Sequence, residues 1–395
     1  MEVHEYIKQT KNLQDLLLTF IASQNRINEL IDEYQALIDF LQKHNYGQNK
    51  KELQQLLSLL CHISNNHCRT PDFFEKIEQI ILYLRDSIKQ NLSDSIIFNL
   101  FKKNKRILLF LFEKEIIPIK DFIPTIQKSP KDYRMYFYNI INPYLDKDTA
   151  NTIKSELLEI DSNILQNFEH KQKEGENNSY IANLIRSDSI EEFITYVNQT
   201  NLSLTTKIIS PSIFETNPLL REKKVSLIEY ACLYGSIQIF QFLVLNQVPL
   251  TTSLWYCVIH SNNAELIHLL EEHHVRTSDG TYEKCLEESI KCHHNDISNY
   301  IINSLLKREI EGDFSVYKTI KNVLSYSFKY CNYALVPDNL DIGLVIHYSF
   351  HYDNLEFVDF ILRHQIIIWT NITIQKKNFF LFRFKKKSLF FMKFI

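Results

Sequence analysis

Glycine and proline are scarce: 395 residues contain 6 of one and 9 of the other. The glycines are Gly47, Gly175, Gly235, Gly280, Gly312 and Gly343, and no two lie closer than 31 residues. A P-loop, a dinucleotide fingerprint or a kinase glycine loop needs two or three glycines within about seven residues, so nucleotide binding by those routes is excluded. The sequence also has no Gly-x-Ser-x-Gly elbow and no His-Glu-x-x-His. The acidic doublets Glu191-Glu192, Glu271-Glu272 and Glu287-Glu288 read as solvent faces of short helices, and no catalytic residue is expected. No run of eighteen uncharged apolar residues occurs, which argues against a spanning helix. The amino terminus, MEVHEYIKQTKNLQ, lacks the apolar core of a secretory signal. Seven cysteines, scattered from Cys61 to Cys331, do not make a disulfide framework. A reduced, intracellular and cytoplasmic setting is the expectation. Net charge is −3, which gives no nucleic-acid footprint on average.

What the chain has is apolar and aromatic bulk, with 27 Phe and 21 Tyr beside abundant Ile, Leu, Asn and Lys. This is a globular, helix-rich composition with length for two or three domains. Residues 1–176 are expected to form an N-terminal helical domain. Ile27, Leu30, Ile31, Tyr34, Leu37, Ile38 and Leu41 follow a 3/4 spacing, as do Leu53, Leu56, Leu57, Leu60 and Ile63. Thr70-Pro71-Asp72 offers a cap with proline at the first helical position, ahead of Phe73, Ile77, Ile80, Ile81 and Leu84. The apolar stripe through Leu13–Phe40 is wider than a coiled-coil seam, which favours burial within the chain over dimerisation. The charged stretch HKQKEGENNS, His170–Ser179, reads as a linker.

The second half repeats itself. YACLYGSIQIFQFLV from Tyr230, CVIHSNNAELIHLLE from Cys257, ESIKCHHNDISNYII from Glu288 and YSFHYDNLEFVDFIL from Tyr348 align on Ala231, Val258, Ser289 and Ser349, which are 27, 31 and 60 residues apart. The last gap is two periods, so a drifted unit is expected near Phe314–Pro337. Each copy reads as two short helices around a break. Gly235 suits a left-handed position there, and Asn262, His293 and Asp353 take the same slot with residues tolerant of positive φ. Such short hairpins bury their apolar faces only by stacking. An earlier copy, LIRSDSIEEFITYV from Leu184, stands off by an apparent insertion at Asn201–Lys224.

Ser226-Leu227-Ile228-Glu229-Tyr230-Ala231 and Gly235-Ser236 resemble the opening and turn of the ankyrin repeat. The wording of residues 180–364 is similar to divergent ankyrin proteins of protists that carry a domain of unknown function. The resemblance implies an all-α fold, a helical domain followed by an ankyrin α-solenoid. Its units would lie near 180–200, 226–248, 253–275, 284–306, 314–337 and 341–364, within residues 177–365. It further implies a non-catalytic protein-interaction scaffold. In such proteins the partner meets the hairpin tips and the end of each first helix, which matches Tyr234, His260, Tyr352 and Asp279 here. Trp255 is expected to pack between repeats instead.

Two Cys/His clusters bear on metal. Cys61-His62 and His67-Cys68 bracket a polar turn, but neighbouring residues point about 100° apart on a helix, so this spacing does not favour zinc. Cys285, Cys292, His293 and His294 occupy repeat slots, with the two cysteines two turns apart, and read as packing. No metal and no cofactor is expected. His273-His274 reads as a solvated helix end. Finally, residues 366–395 hold Arg383 and six lysines with no acid, a charge of +7, while the remaining body carries −10. Phe379, Phe380, Phe382, Phe384, Phe390 and Phe391 are interleaved with these charges. The tail reads either as sequence translated beyond the evolved end of the gene or as an adhesive segment for an anionic membrane, with single-stranded nucleic acid a weaker match. A membrane-surface adaptor is therefore the rival function, and a metal-dependent enzyme in the unassigned first half a remote third.

Overall fold

The structure, a computed structural model, describes residues 3–23, 27–70, 72–206, 209–221, 224–278, 280–306, 313–337 and 342–352. Among them every regular element is a helix, and the one strand-like contact is an antiparallel bridge between Ile209 and Val225. The chain divides into two compact units, residues 1–9 with 338–395, and residues 10–337. In the smaller unit the helix Ile342–His351 turns Val345, Tyr348 and Ser349 inward at helical spacing. The remainder of the last expected repeat and the basic tail lie outside the described residues.

The larger unit holds two apolar cores. The first core is built by α1 (Val3–Ala22) from Thr10 onward, α2 (Ile27–Lys43), α3 (Lys50–Asn66), α4 (Phe73–Tyr83), α5 (Arg85–Asn91), α6 (Asp94–Phe101) and α7 (Lys105–Glu113), then the helices α8 (Ile123–Gln127), α9 (Lys131–Tyr136), α10 (Tyr138–Ile141), α11 (Lys147–Ile160) and α12 (Phe168–Glu174). Leu13, Leu17, Phe20 and Ile21 of α1 and Leu37, Ile38 and Leu41 of α2 are buried within this chain, as the wide stripe predicts. The Thr70 cap does not form: α4 starts at Phe73 behind Asp72, which has φ of 59° and makes no side-chain cap bond. Thr70 Oγ1 instead donates to the Ile21 carbonyl at 3.3 Å.

The second core belongs to helix pairs. In order these are α13 (Tyr180–Arg186) with α14 (Ile190–Thr200), α15 (Leu227–Tyr234) with α16 (Ile237–Leu245), α17 (Leu254–Ser261) with α18 (Ala264–Glu272), and α19 (Glu283–Lys291) with α20 (Asn295–Tyr300). The first helix of each pair packs on the first helix of the next, and the helix Asp313–Lys329 packs on α19. Near Phe314–Pro337 the drifted unit has that one long helix and then only a 3₁₀ turn, Tyr333–Leu335. Gly235, Asn262 and His293 all take the left-handed conformation, with φ of 71°, 54° and 60°, and so does Asp188 in the earlier copy, at 49°. A second series, Asn201, Gln247 and His274, closes the second helices in the same way, with φ of 50°, 60° and 53°. At each of these turns the chain reverses at once, because a left-handed residue lets a following amide reach back to an otherwise unpaired helical carbonyl. Ser236 N–H to Ala231 O and His294 N–H to Ser289 O, both near 3 Å, are two such closures.

Side chains link the pairs. Asp188 accepts from the amides of Gln238 and Ile239 at the start of α16, each at 3.0 Å. Ser226 and Glu229 form a capping box at the start of α15, and the other Glu229 oxygen accepts from Ser253 Oγ of the next pair at 2.7 Å. Ser226→Ala should therefore cost about 1 kcal/mol, read as a lowered midpoint in denaturant titration. A change under about 0.3 kcal/mol would show that the capping box contributes nothing beyond water.

The stretch His170–Ser179, expected as a linker, begins with the end of the helix Phe168–Glu174 and is partly packed: Gln172, Gly175 and Asn177 are buried, while His170, Lys173, Glu174 and Ser179 are exposed. Tyr136 Oη donates to the Gln172 carbonyl at 2.8 Å, and Asn177 N–H donates to Glu215 at 3.1 Å. The polar composition there serves both hydrogen-bonding partners within the fold and an exposed face. The insertion at 201–224 supplies Glu215. Its Ile213 and Phe214 are buried in the first core, and the buried Lys105 donates to the Ile213 carbonyl at 2.8 Å.

Candidate functional site

Residues 67–69 leave the end of α3 and run against the ends of α15, α17 and α19. His67 caps α3, and its Nδ1 donates to the Cys292 carbonyl at 2.8 Å. Its ring stacks on His294, with centroids 4.7 Å apart. Arg69 lines one small pocket together with Tyr234 and His260. His294 also lines a polar cleft of about 400 Å³, together with Asp15, Asn262, His293, Asn295 and Asp296 among others.

This arrangement places the expected partner residues differently. Tyr234 ends α15 with its hydroxyl buried, its ring 4.7 Å from that of Tyr230 and the Arg186 guanidinium 5.8 Å above it. His260 is 4% exposed, on the inner side of α17. Both line the pocket shared with residues 67–69, His260 buried and Tyr234 partly buried. Tyr352 follows the helix Ile342–His351 in the smaller unit and is half-buried, and Asp279 lies outside the described residues. Trp255 packs between pairs, as expected, with Nε1 donating to the Val275 carbonyl at 2.7 Å.

His260 joins a second cluster. Its Nε2 is in close hydrogen-bond contact with Glu288 Oε1 and lies 3.5 Å from Cys292 Sγ, while Lys291 Nζ reaches the same Glu288 oxygen at 3.0 Å. Burial opposes the Glu288 charge, but the hydrogen bonds and charges of His260 and Lys291 outweigh it and hold the carboxyl down at about 2. Glu288 is therefore no solvent-face residue, and Glu287 beside it accepts from Lys329 Nζ at 2.6 Å and Tyr330 Oη at 2.8 Å. Cysteine, histidine and glutamate together invite comparison with a nucleophilic triad. That arrangement needs the thiol and the acid on opposite ring nitrogens. Here both meet Nε2, and burial pushes the Cys292 thiol well above its usual range. The cluster is an ion pair with a packed thiol.

The two cysteine clusters of the sequence are recombined by the fold. Cys61 turns into the first core and donates to the Leu100 carbonyl at 3.0 Å, and Cys285 is buried in the second core. His67 and Cys68 meet His294 instead, one donor atom from each lying within 4.8 Å of the others. His260, Glu288 and Cys292 meet the same condition. Burial pushes the Cys68 thiol up to about 12 and depresses His294 well below the ordinary histidine range. Sequence spacing had no means of pairing residues 67 and 294; the available signal was the density of Cys and His at both places.

No family model, no curated protein and no solved structure matches this chain. No helix among the described residues is long and apolar enough to cross a membrane.

Proposed function

We propose that this chain is a non-catalytic protein-interaction scaffold built on ankyrin-like helix pairs, with its own N-terminal half occupying the surface that such repeats usually give to a partner. The carrying observation is the succession of first helices α13, α15, α17 and α19, each closed by a left-handed residue in the same slot. The contact of His67–Arg69 with Tyr234 and His260 supports the second clause. The partner then meets what is left: the solvent faces of the second helices and the hairpin tips. Leu245, at the end of α16, is 82% exposed, and Gln241, His268, Arg276 and Ser278 are exposed as well. Asp279 belongs to this tip in sequence. An exposed large aliphatic residue in a polar setting is a natural interface anchor.

The test is affinity capture from the native cell with full-length protein, comparing wild type with Leu245→Asp/Arg276→Glu. A partner held through this face should bind the double variant at least tenfold more weakly, with an unchanged melting temperature. Equal retention by both proteins would move the interface elsewhere. The rival membrane-adaptor reading rests on residues 366–395, outside the described residues, and binding of the full chain to anionic vesicles at low salt separates the two.

A further inference from the structure

We propose that His67, Cys68 and His294 form a binding site for a zinc-type divalent cation that pins the end of α3 to the turn between α19 and α20. Imidazole and thiolate are the donors that borderline metals of this kind select. One donor atom from each residue lies within 4.8 Å of the other two. Tetrahedral zinc, with bonds of about 2.0–2.3 Å, needs its donors about 3.3–3.8 Å apart, so closure by about 1 Å completes the set.

Two independent observations point to a ligand. His294 is 2% exposed, yet neither of its ring nitrogens has a hydrogen-bond partner. A buried polar group left in that state costs about 1–3 kcal/mol, which a bound cation would relieve. His67 carries the support expected of a metal-binding imidazole: because Nδ1 must donate to the Cys292 carbonyl, the lone pair resides on Nε2. Coordination would turn His67 and His294 out of their present stack. It would also displace the Cys68 thiol proton to solvent, so affinity should rise with pH. Three protein donors leave a fourth position for water, and the polar cleft that His294 lines gives a path of entry. The neighbouring trio of His260, Glu288 and Cys292 is the weaker candidate, since its charge is already met by the ion pair.

The experiment is titration of chelator-stripped, reduced, full-length protein with Co²⁺, followed by competition with Zn²⁺. Wild type should take up about one equivalent with a thiolate-to-cobalt charge-transfer band, and zinc should bleach that band. Cys68→Ser, a near-isosteric change at a partly exposed position, should abolish the band and weaken metal binding at least tenfold, with helical circular dichroism unchanged. Cys292→Ser should keep both. The proposal is overturned if wild type takes up no metal at micromolar concentration. It is equally overturned if the band survives in Cys68→Ser or disappears in Cys292→Ser.

Discussion

Arg69→Ala should destabilise the larger unit by about 3–5 kcal/mol, the cost of leaving a buried charge without its partner. The side chain donates to the Gly175 carbonyl at 3.2 Å and to Thr216 Oγ1 at 2.7 Å. It lies 3.5 Å from both Glu176 and Glu215, and its guanidinium sits 5.1 Å from the centre of the Phe74 ring. Glu215 is 1% exposed, and burial raises its carboxyl even with Arg69 beside it. Without Arg69 that carboxylate has lost its nearest positive charge in a low-dielectric setting, and Thr216 Oγ1 loses its donor, while the Gly175 carbonyl keeps the N–H and hydroxyl of Thr216. Arg69→Lys should lose a smaller amount, because one ammonium cannot reproduce the planar fork. Glu215→Gln in the alanine background should recover a large part of the loss, since the orphaned charge is then gone. Denaturant titration of the two single variants and the double variant gives the coupling directly. Additive losses, or a single-variant cost under 1 kcal/mol, would show that the two charges stay solvated and that the joint is held by packing alone.

This joint also marks how far the residue pattern carries. The helix pairs are legible because their determinants are local: Gly235, Asn262 and His293 sit where a short helix must reverse, and the left-handed backbone admits only a few residue types. The drifted unit is legible only as a gap, because Asp313–Lys329 keeps a helical period but no turn residue in the expected slot. The contacts between the halves leave no local trace. Arg69 meets Glu215, and His67 meets His294, across separations that no periodicity encodes. Tyr234 and His260 look like surface residues when α15 and α17 are considered alone, yet His260 is buried and Tyr234 partly buried where they share a pocket with segment 67–69. The insertion at 201–224 carried three apolar pairs, Ile208-Ile209, Ile213-Phe214 and Leu219-Leu220, with nothing local to tell which core each would join. Glu215, next to Phe214, carried no usable signal.

Acid should unfold the metal-free protein well above the pH at which carboxylates titrate. Burial depresses His62 to about 4 and His293 to about 3, with the surrounding cations and imidazoles adding to the effect. In the unfolded chain both titrate near 6.5. The folded pKa values are the lower ones, so the unfolded state binds more protons once the pH drops below about 6.5. Stability is complete above that point and falls as the pH is lowered toward 3–4, at about 1.4 kcal/mol per pH unit for each residue. Between pH 7.5 and 5 the two together should remove about 4 kcal/mol. Glu288, held at about 2, contributes in the same direction but only below about pH 4.5, so the windows are separable. The check is denaturant titration at pH 7.5, 6.5, 5.5 and 5.0 in the presence of chelator. His62→Gln combined with His293→Asn should flatten the profile, and asparagine is chosen at 293 because it tolerates the positive φ of that slot. Stability that stays constant from pH 7.5 to 5.0 in the wild type would mean that these imidazoles are hydrated in solution and that the inner face between the halves is open.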